Sequence, residues 1–237
     1  MIKVGSARIN EKGTTTGGKA GDQTGKEVAE QPFYWHKKGW ICLRANDKNV
    51  AHRMARLMKQ ACDNNFIGYD QTRRSALRMQ VLRNDYIDLT EVRSYTSCDC
   101  SELVRVCVML ASGFLQDIGD GKKPISFTTE TMKDILLKTK AFAEIPFKSE
   151  KELEEGDILV TKTKGHTVIV TEAQREAGRK AKVTAWSLTV RSGPSANYKA
   201  VKWLSSGTVV DVYEEKSDGW LRIGTDLWIN GKYTDDV

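Results

Sequence analysis

The sequence predicts an α+β domain followed by a small all-β barrel, and three observations carry that expectation. Helical periodicity gathers around residues 49–64, 101–111 and 129–139. Two β-branched runs flank a hairpin signal at 162–165. From Val183 onward the pattern changes to short strand-like runs separated by turn residues. With 237 residues the chain has room for one medium domain and one small one. The expected boundaries are 1–173 for the α+β domain, 174–182 for a linker and 183–237 for the barrel.

In chain order, Glu11 to Gly25 is polar and rich in glycine, and reads equally as a mobile loop or as one wall of a cleft. Phe33-Tyr34-Trp35 and the run from Gly39 to Arg44 suggest a strand pair. Between Asn49 and Asn64, Val50, Met54, Leu57, Met58 and Ala61 share one helical face. Ser101 to Ala111 repeats this spacing with Leu103, Cys107 and Leu110, and Cys107 reads as core packing. Thr129 to Thr139 reads as a third helix, opened by hydroxyl residues suited to N-capping. Gly156 to Thr161 and His166 to Thr171 read as the two arms of a hairpin. Helices gathered against an antiparallel sheet make an α+β domain. Gln174 to Lys182 is charged and lacks apolar periodicity, so it reads as a linker. In the barrel, turn signals recur at Ser192-Gly193-Pro194, Ser205-Ser206-Gly207 and Ser217-Asp218-Gly219. Trp203, Trp220 and Trp228 are expected to supply its buried area.

Composition narrows the function classes. The net charge of +6 suits a polyanionic partner, including anionic wall polymers, but the charge is scattered and no nucleic-acid motif accompanies it. No apolar run is long enough to span a membrane, and the first residues lack the apolar core of a secretory signal. The expectation is synthesis in the cytoplasm. Five cysteines at irregular spacing argue against a disulfide framework, and Cys98-Asp99-Cys100 has the wrong gap for zinc, so no metal is expected; hydrolysis by a thiol would require no organic cofactor either.

The chemistry concentrates at "SYTSCDCSELVRVCVML", residues 94–110. Cys100 lies where loop gives way to helix, a setting of unpaired N–H groups and positive dipole that favours a thiolate. Asp99 would oppose ionisation if it faced the sulfur, so it is expected to face a cationic group on a substrate. Among three histidines, His166 begins a strand after a hairpin and can face a helix terminus across a cleft. His52 reads as a surface residue and His36 as a strand end. Cys98 is the rival nucleophile, outside the helix start.

Two resemblances sharpen this reading. "LTVRSGPSANYKAVKWLSSGTVVDVYEEKSDGWLRI" resembles a bacterial SH3-type (SH3b) domain, with Thr189 at a common asparagine position. Such modules commonly target cell-wall hydrolases to peptidoglycan. "CDCSELV" followed by "EEGDILVTKTKGHTVIV" resembles the NlpC-type branch of papain-like cysteine peptidases, related to the CHAP amidases. That resemblance implies a papain-like fold with Cys100 as nucleophile and His166 as general base. It also implies that Asp99, Ser101 and Tyr69 help to hold a stem peptide.

Two departures stand out. The basic stretch between Tyr69 and Cys100 is longer than usual and could fold over the cleft to shape substrate choice. The family's base-orienting residue sits on the strand after the histidine strand, and here no such strand follows. A circularly permuted arrangement is the expectation: the strand starting near Gly25 lies beside the histidine strand and supplies Glu27, with His36 and Glu172 as alternatives. The implied protein is an endolysin-like hydrolase of amide bonds in bacterial peptidoglycan, acting after release or delivery to the wall. A wall-binding protein with a degenerate catalytic domain is the alternative.

Overall fold

The computed structural model describes residues 2–113, 125–163, 165–173, 178–224 and 226–237. The chain divides into two units, residues 1–174 and 175–237.

In the first unit a six-stranded antiparallel sheet runs through β1 (Lys3–Ala7), β2 (Val28–Pro32), β3 (Trp40–Ala45), β6 (Phe142–Ile145), β7 (Ile158–Thr161) and β8 (Thr167–Glu172). Their spatial order is β2-β1-β8-β7-β3-β6. The helices are α1 (Lys48–Cys62), α2 (Ala76–Arg83), α3 (Cys100–Ser112) and α4 (Met132–Lys138). A parallel pair, β4 (Ile67–Tyr69) and β5 (Thr96–Cys98), stands apart from the main sheet.

Period-two alternation sorts the sheet's side chains between two cores. Leu43, Ile158, Val160 and Ile169 join the helix-side cluster with Met54, Leu57, Met58, Leu103 and Val106. Trp40, Cys42, Leu159, Val168 and Val170 join the opposite cluster with Ile2 and Val4. Gly5 lets α1 approach β1, since a Cβ there would lie 2.6 Å from Met58 Cγ. Asp157, fully buried, receives Arg44 Nε at 2.7 Å and Nη2 at 2.7 Å, which locks the β3–β7 pair through a bidentate charged contact.

Several expectations hold at the level of elements. α1 buries Met54, Leu57, Met58 and Ala61, and the β7–β8 hairpin pairs Val160 with Thr167. α3 buries every residue from Ser101 to Leu110, so it is enclosed rather than one-faced. Three expectations need correction. Phe33–Trp35 is not a strand; β3 pairs instead with β6 and β7. The helix expected from Thr129 begins at Met132, because Thr131 Oγ1 accepts from Thr128 N at 3.1 Å and closes a turn rather than capping the helix. The strand that joins the histidine strand is β1, while β2 lies one place further out.

The second unit contains β9 (Arg179–Val183), β10 (Ser187–Arg191), β11 (Ala200–Ser205), β12 (Val209–Val212), β13 (Glu214–Glu215), β14 (Trp220–Gly224), β15 (Leu227–Asn230) and β16 (Thr234–Asp236). They form a five-stranded sheet, β11-β10-β15-β14-β13, and a three-stranded sheet, β12-β9-β16. Leu188, Val190, Val212, Leu221 and Ile229 centre its core. Half of the expected linker is therefore sheet: Arg179–Val183 buries Ala181 and Val183 while Lys180 and Lys182 face out. Residues 174–177 of that linker lie outside the described residues. Trp220 and Trp228 are buried as expected, but Trp203 is 64% exposed.

Candidate active site

A cleft in the first unit gathers Arg8, Tyr69, Arg74, Asp99, Cys100 and His166 among its lining residues. Cys100 is the first residue of α3. Asp99 caps that helix, its Oδ1 accepting Glu102 N–H at 2.8 Å. The backbone N–H of Cys100, at the first position of the helix, has no acceptor within the helix and faces the positive end of its dipole.

β8 approaches from the other side. The β1–β8 ladder ends at the Gly5–Ile169 pair, which leaves Thr167 to other partners. Its carbonyl accepts Ser6 Oγ at 3.1 Å. Its amide and that of Ser101 favour the ionised form of the Cys100 thiol. Cys100 and His166 line the same cleft. The His166 ring itself lies 6.4 Å from the His36 ring and 6.2 Å from the Trp40 ring, centroid to centroid.

Electrostatics overturn the expectation of a resting thiolate. Burial, and then the Asp99 charge, push the Cys100 thiol up to about 12, although the Thr167 and Ser101 amides pull the other way. Burial, followed by the His36 and Arg8 charges, lowers His166 to about 4. Both groups are neutral across the middle pH range. Desolvation outweighs the helix terminus here because the sulfur is packed against β8.

The remaining predicted residues are all placed. Asp99 faces a cation, but that cation belongs to the chain: Arg74 Nε lies 2.9 Å from its Oδ2. Ser101 Oγ donates to Asp99 Oδ1 at 3.0 Å and receives Arg74 Nη2 at 2.6 Å. Tyr69 lines the cleft; its hydroxyl donates to Thr15 O at 2.7 Å, and burial with the Cys100 charge raises it to about 12. Glu27 takes a different place from the one expected beside His166. Its carboxylate accepts Gln23 N–H at 2.7 Å and Tyr69 N–H at 3.0 Å, pinning the Tyr69 segment. Gly68 permits this, since a Cβ there would stand 2.9 Å from Glu27 Oε2 and 2.1 Å from Gly21 O. Of the alternatives, Glu172 is at the far end of β8, 2.7 Å from Lys3 Nζ, whereas His36 is beside His166. Cys98 is fully buried in β5, with its thiol pushed well above its ordinary value by burial. Cys107 is fully buried in the core, as expected.

The polar loop at 11–25 resolves as cleft wall. Gln71 N–H donates to Gly17 O at 3.1 Å, Gly18 bridges to Asp70, and Thr15 lines the cleft. Sequence reasoning missed Arg8 and Arg74 as individuals. Arg74 is set by an Asp70 turn in which Oδ1 accepts Thr72 N–H at 2.8 Å, a pattern visible in Asp70-Gln71-Thr72. Arg8 carried no such local signal, because it reaches the cleft only through the pairing of β1 with β8. Among the described residues, no cluster of three or more His, Cys, Asp or Glu side chains could hold a metal ion, and no helix is long and apolar enough to cross a membrane.

Residues 4–177 match the model of the family described as "Endolysin-like domain". The chain belongs to that family. Residues 186–235 of this endolysin-like protein match the bacterial SH3 domain model. A solved structure, "Endolysin LysPBC5 CBD", is similar at 15% identity over 41% of this chain and 75% of that one, with a TM-score of 0.24. Comparison with the curated proteins gave no match.

Proposed function

We propose that this endolysin-like protein hydrolyses an amide bond in the stem peptide or cross-link of bacterial peptidoglycan, with Cys100 as nucleophile and His166 as general base. The observation that carries the reading is the shared cleft, whose lining includes both a thiol at a helix start and the histidine that precedes β8. The resemblance of "CDCSELV" and "GHTVIV" to NlpC-type motifs supports the same roles. So does β1, which occupies the place beside the histidine strand that a circularly permuted papain-like domain requires.

With both groups neutral at rest, attack and proton transfer are coupled: His166 takes the thiol proton as sulfur meets the carbonyl carbon. The Cys100 N–H can stabilise the oxyanion, a contribution of about 3 kcal/mol for one such donor. His166 then protonates the leaving amine, and water hydrolyses the thioester. His36, the neighbour of His166, accepts Lys38 N–H on Nδ1 at 3.0 Å and so carries its proton on Nε2; it packs beside the His166 ring without an acceptor for the His166 N–H. Asp99 and Ser101, locked by Arg74, shape the substrate wall. The second unit holds the enzyme on the wall, a role supported by the exposed Trp186 and Trp203 around one shallow groove.

Incubation with purified peptidoglycan, followed by mass spectrometry of the fragments, tests the reading. New paired amine and carboxyl ends are expected, and fragments with altered sugars alone would overturn it. The second reading, wall binding without catalysis, is favoured by the raised Cys100 thiol and by the engagement of Glu27 elsewhere. Binding without new ends would establish it.

A further inference from the structure

Asp99 presents the site with a conflict. Its carboxylate caps α3, with Oδ1 accepting Glu102 N–H at 2.8 Å, yet it precedes Cys100 in the chain and its side chain is only 10% exposed. A fixed carboxylate beside a thiol opposes loss of the thiol proton. After burial, the Asp99 charge is the largest force holding that proton on Cys100, and the Arg74 charge works in the opposite sense. Tyr69 and Cys98, from β4 and β5, and Tyr34 also interact with Cys100, but these groups are neutral or negative and never positive. Arg8, Glu130 and His166 complete the titratable lining of the cleft.

Arg74 meets that conflict by geometry. Its Nη2 donates to Ser101 Oγ at 2.6 Å and to Asp99 Oδ1 at 3.3 Å, while its Nε stands 2.9 Å from Asp99 Oδ2. The guanidinium therefore spans both carboxylate oxygens and the hydroxyl, and Ser101 Oγ in turn donates to Asp99 Oδ1 at 3.0 Å. The backbone that carries Arg74 is itself tied down. Asp70 Oδ1 accepts the N–H groups of Thr72 at 2.8 Å and Arg73 at 3.2 Å. Asp70 N–H donates to Cys98 O at 3.2 Å, and Ser97 Oγ donates to Arg73 O at 3.4 Å. These last two bonds anchor the turn to β5, the strand that leads into Asp99 and Cys100. Arg74 and the helix-start thiol share one scaffold.

We propose that Arg74 is a positioning residue for the nucleophile: its guanidinium holds Asp99 on the cap of α3 and cancels the carboxylate's charge, so that the Cys100 sulfur can pass its proton to His166 as it attacks. The inference rests on the proposed hydrolase reading for its purpose, whereas thiol reactivity reports it without any substrate. Arg74 acts through position and charge rather than by touching the reacting atoms. What the site requires is then a balance of charge beside the sulfur. Arginine with aspartate supplies it, and a neutral pair of similar shape would supply it too.

The test treats full-chain variants with iodoacetamide, a neutral reagent, between about pH 7 and about pH 9. Modification of Cys100 is followed by peptide fragmentation in a mass spectrometer, which separates it from Cys98, and circular dichroism confirms each fold. Arg74→Gln is expected to slow modification by about tenfold at each pH, a displacement of the profile by about one pH unit. Arg74→Lys, which keeps the charge and loses the fork, should recover part of that rate. Asp99→Asn alone should exceed the unsubstituted rate. The deciding variant combines Arg74→Gln with Asp99→Asn, since asparagine keeps a capping oxygen while the opposing charge is gone. Its rate should return to within about threefold of the unsubstituted chain. A merely structural role would leave the double variant as slow as Arg74→Gln. That result overturns the inference, as does an unchanged rate in folded Arg74→Gln or no gain in Asp99→Asn. Unchanged modification with lost release of new ends would make Arg74 a substrate contact, and overturns it as well. Release of new ends from peptidoglycan, measured alongside, reports on the hydrolase reading separately. No release by any chain, with the modification pattern intact, removes that reading and supports the charge balance.

Discussion

The two units place their chemistry in opposite ways. The first turns it inward: Cys100 lies under β8, Tyr69 and Asp99 are buried, and Trp40 is 5% exposed with its Nε1–H donated to Tyr34 O at 2.8 Å. The second turns aromatic surface outward, leaving Trp186 91% exposed and Trp203 64% exposed over a groove lined by Ser187, Ser205 and Ser206. A reaction requires fixed, desolvated groups, whereas capture of an extended polymer requires open, rigid contact area. On the proposed function, the difference makes catalysis and retention separable by substitution.

The largest effect is expected from His166→Ala, which removes the proposed base. Release of new amine ends from peptidoglycan should fall by about 10³-fold, within the range for general base catalysis, while sedimentation with cell walls stays unchanged. Next comes Asp157→Ala. It strips the buried partner from Arg44 and should lower the unfolding free energy by about 3 kcal/mol, read from denaturant titration of the first unit's transition. Loss of activity should then follow loss of fold, unlike the His166 case. Trp203→Ala should weaken wall sedimentation by about tenfold, the scale of an exposed aromatic anchor, with little change in thermal stability because the side chain buries little. Equal loss of stability and retention would erase the contrast between the units.

The smallest effect concerns pH. With the Cys100 thiol at about 12 and His166 at about 4, both active forms persist between those limits. The kcat/KM profile should therefore be flat from about pH 5 to about pH 9, without a step near the ordinary histidine value. Stability follows with a definite sign. Below the ordinary value of 6.5 the unfolded chain takes up a proton that folded His166 refuses until about 4, so stability falls as pH drops through that window. Iodoacetamide should correspondingly modify Cys100 more slowly at pH 8 than it modifies a free thiol.

Elements with a strong local period were legible in the sequence. The α1 face, the β7–β8 hairpin and the start of α3 at Cys100 all follow from spacing and capping signals. Features made by tertiary pairing were not. Arg179–Val183 carries only two apolar residues, so its alternation reads as a charged linker until Ala181 and Val183 meet the barrel core. Glu27 was placed by assuming that its strand joins β8; the insertion of β1 between them sent its carboxylate to the Gln23 and Tyr69 amides. The Cys100 environment was misjudged for a related reason. A helix N-terminus can be recognised from Asp99-Cys100-Ser101, but the packing that desolvates the sulfur comes from a strand nearly seventy residues away.

The central claim is that one thiol performs the cutting. Its most direct test is Cys100→Ala in the full chain, with new amine ends counted on purified peptidoglycan and circular dichroism confirming the fold. The account predicts release reduced to background with wall binding intact. Undiminished release by the folded variant would contradict it.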